Sequence, residues 1–235
     1  MTITFHVLDA MDELPARLKA DVMGELEGAH ERVALLIQLD RLDIVVAPEA
    51  WVLRRYGFSG YANSPGRITI TFDPRSPRLH DRERPDRILG TLAHEMHHVL
   101  RMRSGGEPDS HTLGSRFVSE GLAQCFEEEV GAPTPFYAVA LDAAALHRMA
   151  ERARPLLAAT DFAHDDWMFG RRDDPEWPPS AGYSLGYALV KAWLNKKELS
   201  AVDAAGVSAT EITDDWLSGR LWVGALRGRY LDAQR

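Results

Sequence analysis

His94-Glu95-Met96-His97-His98 is the segment whose residue types and spacing could do chemistry. On an α-helix, positions four apart share a face, so His94 and His98 point the same way. Two imidazoles so placed can share one Zn²⁺, and Glu95, beside the first, can reach a water at the metal as general base. His97 lies about 100° round the helix from His98, which predicts a supporting or partly exposed role. The other histidines (His6, His30, His80, His111, His147 and His164) are scattered without ligand spacing.

A catalytic zinc needs three protein ligands and an open position for water. The candidate for the third is Glu120, in Ser119-Glu120-Gly121-Leu122-Ala123. Ser104-Gly105-Gly106-Glu107-Pro108 reads as a helix stop and loop. A second helix is expected from Thr112 to Val130, with Leu113, Phe117, Leu122, Phe126 and Val130 as its apolar stripe. Two antiparallel helices so connected can bring Glu120 opposite His94 and His98. Most glutamates are simply solvated. However, Gly121 costs a helix interior about 1 kcal/mol relative to alanine, which points to a close approach of backbone or ligand there.

The pentapeptide, the Ser119-Glu120-Gly121-Leu122-Ala123 segment and Gly182-Tyr183-Ser184-Leu185-Gly186-Tyr187 together resemble the gluzincin type of zinc metallopeptidase. More narrowly, they resemble a family of predicted bacterial zinc-dependent proteases, from about Leu42 to about Leu194. The resemblance implies peptide-bond hydrolysis with a zinc cofactor. It also implies that Tyr183, three residues before Gly186, stabilises the tetrahedral intermediate, with Tyr187 one turn later as the alternative. Gly186 would let that helix approach the histidine helix closely. Acidic residues or loops of the kind many gluzincins use to recognise a peptide terminus are not evident.

The elements that must position these residues follow from periodicity. Ile3, Phe5 and Val7 alternate as in a strand. A helix is expected from about Pro15 to Leu39, with Leu18, Val22, Leu26, Ala29, Val33, Leu36 and Ile37 inward; Gly24 and Gly28 are places where it could bend. Strands are expected at 42–46 and 67–72, with a turn at Asn63-Ser64-Pro65-Gly66 between the second and a short edge strand at 58–62. If that edge lies beside the metal, Gly60, Tyr61 and Ala62 can pair with an extended peptide; an ordinary hairpin arm is the equal alternative. The histidine helix should open at Pro85 and bury Ile88, Leu92, Met96 and Val99. Further helices are expected from Thr134-Pro135 to Arg154, from Tyr183 to Lys197, and in short pieces at 211–217 and 221–230. Between them, 160–180 reads as a long loop rich in Asp, Trp and Pro that could border a site.

With 235 residues and 45% apolar content, the chain can build one sizeable core. We therefore expect a single α+β, zincin-like domain over 1–235: a small, mostly antiparallel sheet over the zinc helix, and a helical C-terminal half. A net charge of −8 without a basic face argues against nucleic acid. No long apolar run predicts a membrane span, and no basic start followed by an apolar run predicts a signal peptide. The lone Cys125 excludes an internal disulfide and fits a reducing cytoplasm. The expected partner is a peptide or protein substrate. A module that keeps the zinc fold only to bind a peptide or protein is the alternative to an enzyme.

Overall fold

β1 (Ile3–Val7) and β2 (Leu42–Pro48) run parallel, because α1 (Ala16–Val33) carries the chain back to the end where β1 began. β3 (Phe58–Ser64) and β4 (Arg67–Phe72) form a tight antiparallel hairpin, and β4 inserts beside β2 in parallel, giving the order β1-β2-β4-β3. The sheet is therefore mixed, where a mostly antiparallel one was expected. Only strands joined by a tight turn are forced to reverse, and the crossover through α1 enforces the opposite. The α+β class holds. This computed structural model describes residues 3–105 and 111–219. The Gly106–Pro108 part of the expected loop and the expected helical piece at 221–230 lie outside the described residues.

By its contacts the chain divides into two compact units, Met1–Ser104 with Phe126–Pro133, and Gly105–Cys125 with Thr134–Arg235. In the first, Ile44, Val46, Ile68, Ile70, Phe72, Phe58 and Ala62 form the buried face of the sheet. α2 (Arg84–Arg103) packs against β3, β4 and α1. Pro85 sits in its first turn as expected, and its buried side includes Ile88, Leu92, Met96 and Val99. Two arginines fix its ends. Arg84 donates to both carboxylate oxygens of Glu25 on α1, at 2.9 and 2.6 Å, and to the Leu79 carbonyl. Arg103 donates to the carbonyls of Pro65 in the hairpin turn and of Asp40 and Arg41 before β2. α1 stops at Val33, short of the expected Leu39. There the amides of Leu35 and Leu36 turn to the carbonyls three residues back, and Leu36 is left exposed.

The second unit is helical. α3 (Leu113–Glu129) supplies most of its length to this unit and its last turn to the first. α4 (Ala143–Ala153) begins well after Thr134, because Asp142 is the true N-cap, its carboxylate accepting from the Ala145 amide at 2.7 Å. α5 (His164–Met168) is a short helix inside the expected loop, and α7 (Ala209–Leu217) closes the described chain. α6 (Ala181–Lys197) is buried on nearly every side, from Ala181 to Leu194, as a central helix must be. Trp167 is buried and meets Trp177 edge to face, while the Arg152 guanidinium lies 3.8 Å above Trp177. These tryptophans pack the segment down. Among the described residues no helix is long and apolar enough to cross a membrane.

Candidate metal centre

α2 presents His94, Glu95, His97 and His98 within one turn, and each meets a different environment. His94 and His98 face the same way, their rings 4.7 Å apart and nearly perpendicular. His97 is fully buried against Phe126, ring centroids 5.5 Å apart. Of the two roles expected for His97, supporting or partly exposed, the exposed one is not found, because Phe126 in the last turns of α3 covers that face of the helix.

His94 is oriented by a residue that spacing alone did not single out. Its Nδ1–H donates to Glu127 Oε1 at 2.8 Å, with both side chains buried. An ionised carboxylate can only accept, so this bond puts the ring proton of His94 on Nδ1 and the lone pair on Nε2. The signal was present: Glu127 lies two turns after Glu120, on the same face of α3. In sequence it is masked by its neighbours, since Glu127-Glu128-Glu129 reads as a solvated acidic run.

Glu95 faces the edge strand. Its Oε2 accepts from the Ala62 amide at 2.7 Å. A Cβ built on Gly60 would lie 2.6 Å from Glu95 Cγ and 2.8 Å from Thr91 Cγ2. β3 is indeed an edge of the sheet, and it runs so close to α2 that only glycine fits at 60. Tyr61 projects outward, 66% exposed. Of the three edge residues proposed from sequence to meet a peptide, Gly60 and Ala62 therefore stand directly against Glu95.

Glu120 is half-buried on α3. The expectation that Gly121 marks a close approach holds, and the approaching element is α6. A Cβ at Gly121 would lie 2.5 Å from the Gly186 carbonyl carbon and 2.7 Å from Val190 Cγ2. In return, a Cβ at Gly186 would press on the Phe117 carbonyl, 3.0 Å from its carbon. Gly186 was expected to seat its helix on the histidine helix. It instead serves the crossing of α6 with the Glu120 helix, where the Gly186 carbonyl lies against Gly121 and the Gly186 Cα against Phe117. Tyr183 opens α6 with its ring 5.2 Å from Tyr137 and 6.3 Å from Phe169, whereas Tyr187 is buried at 3% exposure. Ser184 Oγ donates to the Tyr137 carbonyl and accepts from the Ala140 amide, tying the segment before α4 to α6.

His94, His98 and Glu120 can each offer one ligand atom, and those atoms all lie within 4.8 Å of one another. Zinc bonds of about 2.0–2.1 Å place ligand atoms of one tetrahedron about 3.4 Å apart, a contraction within reach of side-chain adjustment. Two imidazoles and a carboxylate form a donor set that suits zinc. The Glu127–His94 bond has the form of the outer support that metal-binding histidines ordinarily have. The residues present therefore fit a zinc ion.

Fold and donor set together define an α+β chain with a His-His-Glu group that could hold a metal. The chain belongs to the family described as "Predicted Zn-dependent protease" (DUF2268), whose model matches residues 23–214. It is 26% identical over 167 residues to "Uncharacterized protein YjfC" of Bacillus subtilis (strain 168), a match covering 66% of this chain and 54% of that protein. The chain thus spans about half the length of the curated relative it matches. The family's name implies zinc dependence and a hydrolytic role.

Proposed function

We propose that this protein is a gluzincin-type zinc metallopeptidase that hydrolyses peptide bonds, with His94, His98 and Glu120 holding one Zn²⁺. The observation that carries the proposal is the convergence of these three ligand atoms, within a chain of this family. A zinc ion held there would polarise the scissile carbonyl and acidify a water. Every other part of the mechanism belongs to the chain. Glu95 takes the proton of the attacking water and passes it to the leaving amine. The Ala62 amide, 2.7 Å from Oε2, holds that carboxylate in place. Tyr183 donates to the oxyanion of the tetrahedral intermediate, with Tyr187 the alternative donor. The outward edge of β3 at Gly60, Tyr61 and Ala62 aligns the peptide beside Glu95. The lone Cys125 is buried and in no disulfide, which fits a reducing, cytoplasmic setting.

The test is Glu95→Gln with matched zinc loading, assayed on a broad peptide library. The amide keeps the side chain's shape but cannot accept a proton, so zinc should be retained and hydrolysis almost abolished. Activity within a few fold of the parent would remove Glu95 as the base.

A further inference from the structure

Six rings run in unbroken contact along one side of the helical unit. Phe162 lies 6.3 Å from His164, His164 6.0 Å from Phe169, and Phe169 6.3 Å from Tyr183. Tyr183 lies 5.2 Å from Tyr137, and Tyr137 5.3 Å from Phe136. No ring in this row is fully buried; Phe169 is 58% exposed and the His164 side chain 46%. A structural cluster would turn its apolar faces inward, as Trp167 does one residue before Met168. A row of four half-buried rings, with the exposed Phe169 and His164 among them, offers apolar surface to a ligand.

The outer end of the row is acidic. Asp161 is exposed and has no partner among the described residues, and Asp165 is 88% exposed with His164 as its neighbour. Of the two arginines that follow in the segment, Arg171 is engaged by Asp166 and Arg172 is exposed. The chain as a whole carries −8, which favours a basic ligand.

We infer that this row is a substrate-binding surface for peptides that carry an aromatic or large aliphatic side chain next to the scissile bond and a basic residue a few positions away. The inference rests on the peptidase reading, which makes Tyr183 both a member of the row and the oxyanion donor. The ring contacts from Tyr183 through Phe169 to His164, at 6.3 and 6.0 Å, keep Tyr183 and His164 within about 12 Å of each other, so at most about four residues of extended chain separate them. Asp165 lies 3.2 Å from His164, whose ring meets Phe169, and Asp161 precedes Phe162 in the chain, so a lysine or arginine a few positions from an aromatic side chain on Phe169 meets this acidic end. Offset or edge-to-face contact with Phe169 selects the ring, and the carboxylates select the charge.

The experiment uses the full chain loaded with zinc, unlabelled decapeptides, and titration calorimetry on the Glu95→Gln protein so that nothing is cleaved. Replacing the peptide's Phe with Ala should weaken binding about tenfold, and replacing its Lys with Ala should weaken it several fold at low salt only. Phe169→Ala, and independently Phe162→Ala, should reduce the Phe-over-Ala discrimination to about twofold or less while zinc content and melting temperature hold. Asp161→Asn with Asp165→Asn should remove the lysine effect. Equal binding of the Phe and Ala peptides, or discrimination that survives both ring variants, would overturn the inference. Discrimination without cleavage by the parent protein would instead remove the peptidase reading and leave the surface standing. Cleavage without discrimination would do the reverse.

Discussion

Glu127 should control how tightly the site holds zinc, although it is not itself a proposed ligand. Its carboxylate meets His94 Nδ1 at 2.8 Å with both side chains buried. Truncation to Ala leaves a buried imidazole N–H without its acceptor, at a cost of about 1–3 kcal/mol. The same removal frees the ring to rotate and lowers the basicity of Nε2. Loss of an outer carboxylate of this kind weakens metal affinity about 10- to 100-fold, or about 1.4–2.7 kcal/mol, and the unpaired N–H lowers the stability of the metal-free fold in addition. Glu127→Gln retains an acceptor but loses the charge, so its effect should fall at the lower end. Gly90 offers an independent handle. A Cβ there would lie 2.9 Å from Glu127 Oε2, so Gly90→Ala should displace the carboxylate and mimic part of the loss. The assay is competition for zinc against a chromophoric chelator at neutral pH, with the melting temperature of the metal-free protein as a control for folding. A Glu127→Ala protein that folds and binds zinc as tightly as the parent would refute the orienting role.

Three further outcomes are expected. Gly121→Ala places its Cβ against the Gly186 carbonyl, where backbone rather than a flexible side chain must yield; the denaturant midpoint should fall by the upper part of about 1–3 kcal/mol, despite alanine's better helix propensity, and an unchanged midpoint would show that the α3–α6 crossing is not tight. Tyr183→Phe should lower kcat about a hundredfold or more with little change in KM, and Tyr187→Phe much less; reversed effects would move the donor one helical turn along α6. His30 has a pKa lowered from 6.5 mainly by burial, and its Nε2 has no partner among the described residues. Its neutral form is the one folding favours, so it withdraws stability as pH falls from about 6.5 towards the lower folded value. His30→Leu should flatten that part of the stability–pH curve, and an unaltered curve would exclude it.

The elements and the chemical vocabulary of the candidate site are local properties, and the sequence carries them. Strand alternation in Ile3–Val7 and Arg67–Phe72, the apolar stripe of α1, the start of α2 at Pro85 and the extents of α3, α6 and α7 all follow from period and caps. His94 and His98 share a face because a helix repeats every 3.6 residues. A glycine at 121 announced a close neighbour because such a residue is costly unless something needs its space.

Sequence period does not say which distant element fills that space, and there the tertiary structure decided. Parallel pairing of β1 with β2 depends on which way α1 returns the chain, and that of β4 with β2 on the hairpin inserting β4 rather than β3 beside β2, not on the strands' own residues. The partner of Gly121 proved to be Gly186, which turned a glycine assigned to the histidine helix into one that seats α6 on α3. The start of α4 depended on which of several polar residues caps it. His97 was drawn inside by Phe126, and Glu127 was lifted from an acidic run into a buried bond with His94. Each of these is a contact between residues far apart in the chain or a choice among equivalent local signals. Such choices are settled by packing and by the need of every buried polar group for a partner, and a reading of local period contains neither.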